Sequence, residues 1–246
     1  MRVGVLIAIT TFLLVGVQPV EAEDSQGLPL EIKTTRVLIE GNQRQGFWSV
    51  KNHAKHSYAF TIFTFDTNER LEQAERSKDF IVTPPTGLLN PNEEKTFRIV
   101  RVGDHLPSDR ESLALLRLKL LPSGQQTNQS NHSRIQSLMS IYLKLFYRPE
   151  TIVKEFAVEK ATTQLKASCR DRLMTIENTY PYWMTLDSLK VAHQDFISHQ
   201  EKAPMIGPYA RWSRLVSHCP PQVEVSTIKE NGLPTEFQLL HVEGVK

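Results

Sequence analysis

Apolar residues along this chain come in short runs, and within several runs they take every second position. Phe97 and Ile99 flank Arg98, and Leu116, Leu118 and Leu120 alternate with Arg117 and Lys119. Successive side chains of a β-strand point to opposite faces, so this alternation describes strands with one face buried and one in water. The runs Leu30–Glu40, Gly46–Asn52, Tyr58–Asp66, Asp79–Thr83, Lys95–Val102, Ser112–Leu121 and Arg134–Tyr147 read in this way. Turn-forming residues separate them at Glu40-Gly41-Asn42, Pro84-Pro85, Asn90-Pro91-Asn92 and Pro122-Ser123-Gly124. Short strands punctuated in this way predict an antiparallel β-sandwich.

A second, less regular set follows Pro149: Leu173–Asn178, Tyr182–Leu189, Arg214–Val216, Gln222–Ile228 and Phe237–Val242, broken at Tyr180-Pro181 and Cys219-Pro220-Pro221. The expected architecture is all-β, two β-sandwiches in series, spanning residues 23–149 and 150–246. No close repeat relates the halves residue by residue. The polar stretch Gln125–Ser133 reads as a loop between two strands.

Before the first strand, Arg2 precedes an uncharged run from Val3 to Val17, followed by Pro19 and Val20-Glu21-Ala22. A basic start, a short apolar run and small residues ahead of a cut describe a secretory signal peptide cleaved after Ala22. The run is shorter than the roughly 20 residues that span a bilayer, and the acids Glu21, Glu23 and Asp24 follow it rather than lysines or arginines. No later segment is apolar enough to span, so the mature chain is expected to be exported without inserting in a membrane.

The 246 residues are 40% hydrophobic and 23% charged, an ordinary globular balance that excludes a disordered or disulfide-scaffold chain. Lys and Arg total 29 against 27 Asp and Glu, a net charge of +2, too little for a nucleic-acid-binding protein. Nucleophile elbows, dinucleotide and phosphate loops, Cys-x-x-Cys and His-Glu-x-x-His are all absent, so no catalytic residue, cofactor or metal is assigned. His53 with His56, and His193 with His199, lack neighbouring Cys or carboxylates at a ligand spacing and read as solvated loop histidines. The sequons at Asn128 and Asn131 would matter only in a eukaryotic secretory pathway. A secreted binding module of carbohydrate or adhesin type would need a surface aromatic platform; Trp183 and Trp212 are the candidates, and both are expected in the second core.

Export gives the two cysteines a meaning. Cys169 and Cys219 form an even pair in an oxidising compartment, where they are either bonded or two buried thiols.

The run Arg134–Tyr147 is more than twice the usual strand length of about five or six residues. Ile135, Met139, Ile141 and Leu143 share one face, interrupted by Ser137; Gln136, Tyr142 and Lys144 share the other. It is either a long core strand or an exposed edge that lends its side chains to a partner by strand addition.

The segment Tyr142-Leu-Lys-Leu-Phe-Tyr-Arg-Pro149 resembles the signature closing the first domain of the immunoglobulin-like periplasmic pilus chaperones of the bacterial chaperone–usher pathway. Thr35-Arg36-Val37, Thr83-Pro-Pro…Leu89-Asn-Pro91, Leu106-Pro…Asp109-Arg-Glu-Ser112 and Ile176-Glu-Asn178…Pro181-Tyr-Trp183 agree with that family in order and spacing. The resemblance implies two immunoglobulin-like sandwiches in an L, without enzyme activity. It implies a chaperone that lends its edge strand to pilin subunits lacking their last strand and passes them to an outer-membrane usher. Arg36 and Lys144 match the two basic residues that hold the subunit's C-terminal carboxylate. Ile135, Ser137, Met139 and Ile141 match the donor positions. Glu111 and Arg148 match two members of an interdomain ion cluster, with Glu230, ahead of Asn231-Gly232, standing where the family has Asp.

Two departures bear on the partner. Ser137 stands where donor strands carry a bulky aliphatic, forgoing roughly 2 kcal/mol of apolar transfer and implying a shallow pocket or weaker binding. The loop before the donor strand is of short-to-moderate length, as in the subclass that assembles rod-like pili. Cys169 and Cys219 do not match the closely spaced pair of many relatives.

Overall fold

A computed structural model describes residues 29–66, 75–123, 138–191, 194–197 and 204–244. The expected leader, the 125–133 loop, Ile135, Ser137, His193 and His199 lie outside the described residues.

The first half is built from β1 (Leu30–Ile32), β2 (Arg36–Glu40), β3 (Gln45–Asn52), β4 (Ser57–Asp66), β5 (Phe80–Thr83), β6 (Thr86–Leu89), β7 (Glu94–Arg101), β8 (Ser112–Ser123) and β9 (Met139–Arg148). They form a four-stranded sheet in the order β1-β3-β7-β5 and a five-stranded sheet in the order β2-β9-β8-β4-β6. The alternation seen in the sequence places one face of each sheet in a shared core. Trp48, Phe97 and Ile99 of the first meet Phe60, Ile62, Leu116 and Leu118 of the second. Phe60 packs edge-on against Phe97 with ring centroids 5.2 Å apart.

Two expectations for this half need correction. The run Leu30–Glu40 is two strands, because Leu30 and Val37 are both buried yet an odd number of residues apart, so they cannot share one face of a continuous strand. The chain crosses between sheets there: β1 pairs with β3, and β2 pairs with β9. The sandwich is also not wholly antiparallel, since β2 runs parallel to β9.

The second half opens with a short helix, α1 (Glu150–Glu155), and a 3-10 segment (Val158–Gln164), both unforeseen. Its strands are β10 (Leu165–Arg170), β11 (Leu173–Asn178), β12 (Met184–Val191), β13 (Gln194–Ile197), β14 (Met205–Ile206), β15 (Arg211–Leu215), β16 (Gln222–Thr227) and β17 (Gln238–Glu243). They run β13-β12-β16-β17-β10-β11-β15, with β14 on β12. Met174 and Ile176 of β11 share a core with Leu186 and Leu189 of β12 and Val223 and Val225 of β16. A parallel contact between β10 and β17 joins the two faces. Strand β10 escaped the sequence reading because its buried positions include the small residues Ala167 and Cys169, which weaken the alternation.

One device recurs in both halves without a visible sequence repeat. Asn52, at the end of β3, is fully buried and donates Nδ2 to the carbonyls of His56 (2.9 Å), Leu89 (3.2 Å) and Asn90 (3.1 Å), while its Oδ1 accepts from Ala54 N at 2.9 Å. Asn178, ending β11, donates to Tyr182 O (2.7 Å), Ile206 O (3.3 Å) and Gly207 O (2.9 Å), and accepts from Tyr180 N at 3.0 Å. Each amide pins the turn that follows its strand, and in the second half that turn carries Pro181, Tyr182 and Trp183. Buried carbonyls need such partners, so these asparagines replace the ladder where the strand ends.

Cys169 of β10 is bonded to Cys219 across a separation of 50 residues. On the chain-entropy model a loop of that size contributes about 4 kcal/mol. The Cys169→Ser, Cys219→Ser double variant is therefore expected to lose about 4 kcal/mol of stability in denaturant unfolding. Native-mass analysis that found two free thiols in periplasmic protein would contradict the bond.

Candidate functional site

The parallel register of β2 on β9 positions four charged side chains at once. Arg36 lies opposite Lys144, and Glu40 lies opposite Arg148. Side chains opposite one another in register project from the same face, so two residues far apart in sequence become neighbours twice over.

The first pair is cationic. Both side chains are half-buried, and both reach the hydroxyl of Thr185 on β12: Arg36 Nη2 lies 3.5 Å and Lys144 Nζ 3.2 Å from Oγ1. The Arg36 guanidinium also lies over the Phe146 ring, 5.5 Å from its centroid. Burial lowers Arg36 from its ordinary value, an effect that Glu111 opposes. A guanidinium starts so far above neutrality that it remains charged.

The second pair belongs to a cluster that ties the halves together. Arg148 Nε donates to Glu111 Oε1 at 2.7 Å, its Nη1 to Glu40 Oε1 at 3.0 Å, and its Nη2 reaches Glu230. The guanidinium also sits over Tyr182, 4.8 Å from the ring centroid. Glu111, just ahead of β8, is 3% exposed and contacts the turn before β12 three times. Its N donates to Pro181 O at 2.8 Å, its Oε2 accepts from Trp183 N at 2.8 Å, and its carbonyl accepts from Trp183 Nε1 at 3.1 Å. The backbone of Arg148 is held in turn by Gly41, whose N–H donates to Arg148 O at 2.8 Å from a turn where Gly41 has φ of 59°.

Burial disfavours the charge on Arg148, but Glu111 and then Glu230 outweigh it and leave the guanidinium above its ordinary value. Burial pushes the Glu111 carboxyl up, against the pull of Arg148 and of the Trp183 N–H. Each Glu111 oxygen already accepts a hydrogen bond, and neither needs a proton, so we read the pair as ionised. Burial pushes the Tyr182 phenol up to about 12. It stays protonated and donates to Phe156 O at 2.9 Å and Ile152 O at 3.2 Å, fastening α1 beneath the cluster.

Arg36, Glu111, Arg148 and Glu230 border a cleft of about 530 Å³ whose walls also include Leu38, Phe146, Trp183, Met184 and Ile228. A cationic pair beside an apolar wall suits a carboxylate carried by an apolar chain end.

Next to the cleft, the sheet edge is open among the described residues. Strand β8 pairs with β9 from Met139 through Tyr147, but β2 covers β9 only from Lys144 to Arg148. Lys144 N donates to Thr35 O at 3.0 Å. Backbone groups alternate sides along a strand, so the amides of Tyr142 and Ser140 face the same edge, where no described strand pairs with them. Met139 and Ile141 are half-buried at the margin of the first core, Leu143 is buried within it, and Tyr142 faces water.

The β2–β9 register thus gathers Arg36 and Lys144 at the margin of the cleft, and the cluster gathers Glu111, Arg148 and Glu230, with Glu40 as a member that sequence reasoning missed. Trp183 is a correction: it lines the cleft, bonded to Glu111, rather than filling the second core, because the Asn178-pinned turn swings it toward the first half. Trp212 packs half-buried against the second core. His53 Nε2 pairs with Glu31 Oε2 at 2.9 Å, while His56 is half-buried against Tyr58 rather than solvated. Among the described residues no group of three or more His, Cys, Asp or Glu could hold a metal ion.

These features are those of an immunoglobulin-like chaperone of fimbrial assembly. Residues 29–153 match the model of the pili and flagellar-assembly chaperones, PapD N-terminal domain, and the chain belongs to that family. It is 31% identical over 138 residues to the probable fimbrial chaperone protein ElfD of Escherichia coli (strain K12), covering 56% of this chain and 55% of that one. The match therefore spans little more than half the length of that relative. Among solved structures, the fold resembles the periplasmic chaperone SfaE (22% identity, TM-score 0.67, 87% of this chain and 98% of that one). It also resembles the Salmonella enterica SafB chaperone, solved in complex with the SafA pilin (21% identity, TM-score 0.70, 86% and 95%).

Exposure separates the members of the ion cluster. The side chain of Glu111 is 1% exposed and that of Glu230 52%. Glu111→Ala strands a buried guanidinium and is expected to cost roughly 3–5 kcal/mol. Glu230→Ala is expected to cost no more than about 1 kcal/mol. Denaturant unfolding of both variants checks the order, and equal losses would contradict it.

Proposed function

We propose that this protein is a periplasmic chaperone of fimbrial subunits that adds a strand to an incomplete subunit and anchors its C-terminal carboxylate. The observation that carries the reading is the open edge of β9 running directly into the Arg36–Lys144 pair. A subunit strand laid along that edge gains main-chain hydrogen bonds, while Met139 and Ile141, with Ile135 and Ser137 ahead of them, are the donor positions. The two cations then hold the carboxylate that ends the strand and so set its register.

In this reading the leader cleaved after Ala22 directs export, Pro149 divides the two domains, and Glu111, Arg148 and Glu230 hold their relative orientation. The loaded chaperone delivers its subunit to an outer-membrane usher. Membership of a chaperone family supports the reading, as does the pilin held by SafB. No cofactor, metal or catalytic group takes part.

Co-purification from periplasm with the pilin encoded beside the gene tests the proposal. The wild type is expected to bring the subunit down, and Arg36→Ala and Lys144→Ala to lose most of it. With about 1.5–3 kcal/mol for each charge-assisted hydrogen bond removed, affinity falls at least about tenfold. Variants that retain the subunit at wild-type levels would overturn the anchor, and a wild type that captures nothing would overturn the chaperone reading.

A further inference from the structure

Among the described residues, Thr185 is the one whose side chain lies within hydrogen-bond reach of both cations. It enters from the second half, at the start of β12, and only 4% of it is exposed. Its backbone is fixed on two sides: β12 pairs with β14 at Thr185 and Met205, and Thr185 O accepts from Ile228 N at 2.9 Å. The hydroxyl position is therefore set by the second half, whereas Arg36 and Lys144 are set by the parallel register of the first.

A threonine hydroxyl has two acceptor lone pairs and one proton to donate. Here Arg36 Nη2 and Lys144 Nζ, at 3.5 and 3.2 Å, take the two acceptor sites. No described residue accepts the remaining proton. Two consequences follow. A neutral acceptor holds two like charges close together without cancelling either, which a carboxylate at this position would do. The unused O–H joins the guanidinium and the ammonium as a third donor at one place, the arrangement that favours an arriving anion with both oxygens to satisfy.

We infer that Thr185 is a third member of the carboxylate anchor, bracing Arg36 and Lys144 and donating its own proton to the subunit's terminal carboxylate. The inference rests on the anchor reading above and extends it across the domain boundary. An anchor assembled from both halves captures a carboxylate only while the Glu111–Arg148 cluster keeps those halves in register.

The test uses a peptide with the sequence of the last strand of the neighbouring pilin, made once as the free acid and once as the C-terminal amide. Affinity of the full mature chain for each form gives a ratio that reports carboxylate recognition alone. The wild type is expected to prefer the acid. Thr185→Val, which replaces the hydroxyl by a methyl of similar volume, is expected to lower the acid-to-amide ratio about tenfold while leaving amide binding within about twofold. Thr185→Ser keeps the hydroxyl and is expected to restore most of the ratio. Thr185→Ala, which leaves space rather than a methyl beside the cations, carries the same expectation as valine should that variant fail to accumulate. A ratio unchanged in the valine and alanine variants, or a serine variant as impaired as they are, would overturn the role of Thr185 while leaving the anchor intact. A wild type that binds acid and amide equally would overturn the anchor itself.

Discussion

A five-residue strand lying parallel on a ten-residue one is the constraint on which the rest of this molecule depends. Because β2 covers only Lys144 to Arg148, the remainder of β9 has one neighbour instead of two among the described residues. The same register that stops short of Met139 puts Arg36 beside Lys144 at one end and Glu40 beside Arg148 at the other. An unpaired edge is a hazard for a soluble β-protein because it templates pairing with other chains. Here the hazard is confined to one stretch, and in the proposed function a cationic pair at its closed end specifies what belongs there. The strand break at Lys33 to Thr35, which moves the chain from one sheet to the other, is what shortens β2 and leaves the edge open.

The second half adds little to the edge and much to the cleft. Glu111 is buried against Trp183 and Pro181 by three hydrogen bonds, and it holds Arg148 by a fourth. A buried ion pair contributes less to stability than its distance suggests, because removing both charges from water costs most of what their attraction returns. In the proposed function its value lies in direction: the guanidinium and carboxylate accept partners only from fixed angles, so the pair would fix how β12 meets β9. Thr185 reaches the two cations as a result. Glu40 and Glu230, each about half exposed, complete the cluster at the rim, where water screens their contribution.

Much of the first half was legible in the sequence, because β3, β4, β7 and β8 each bury every second residue and so print their pattern directly. The break within Leu30–Glu40 was not, since Lys33, Thr34 and Thr35 suit a strand as well as a turn and no Gly or Pro marks the crossing; only the parity of Leu30 against Val37 betrays it. The parallel pairing of β2 with β9 is equally silent, because alternation says which face is buried and nothing about the neighbour. Hence Glu40 reads in sequence as a solvated strand end, although its partner is 108 residues away. Arg36 and Lys144 were found through family resemblance, not through pattern. Trp183 reads as a residue of the second core, whereas its partner, Glu111, lies 72 residues earlier. Contacts of that range are made by the fold, and a single sequence records them only as isolated polar residues in apolar runs, of which Thr185 is another.

The central claim is that a subunit strand occupies the open edge of β9. Amide hydrogen exchange of the chaperone, free and loaded with its subunit, tests it most directly, because the amides of Ser140 and Tyr142 face that edge while those of Leu143 and Leu145 face β8. Strand addition predicts that Ser140 and Tyr142 exchange readily in the free protein and become strongly protected in the complex, with Leu143 and Leu145 protected in both. Unchanged exchange at Ser140 and Tyr142 on loading would contradict it.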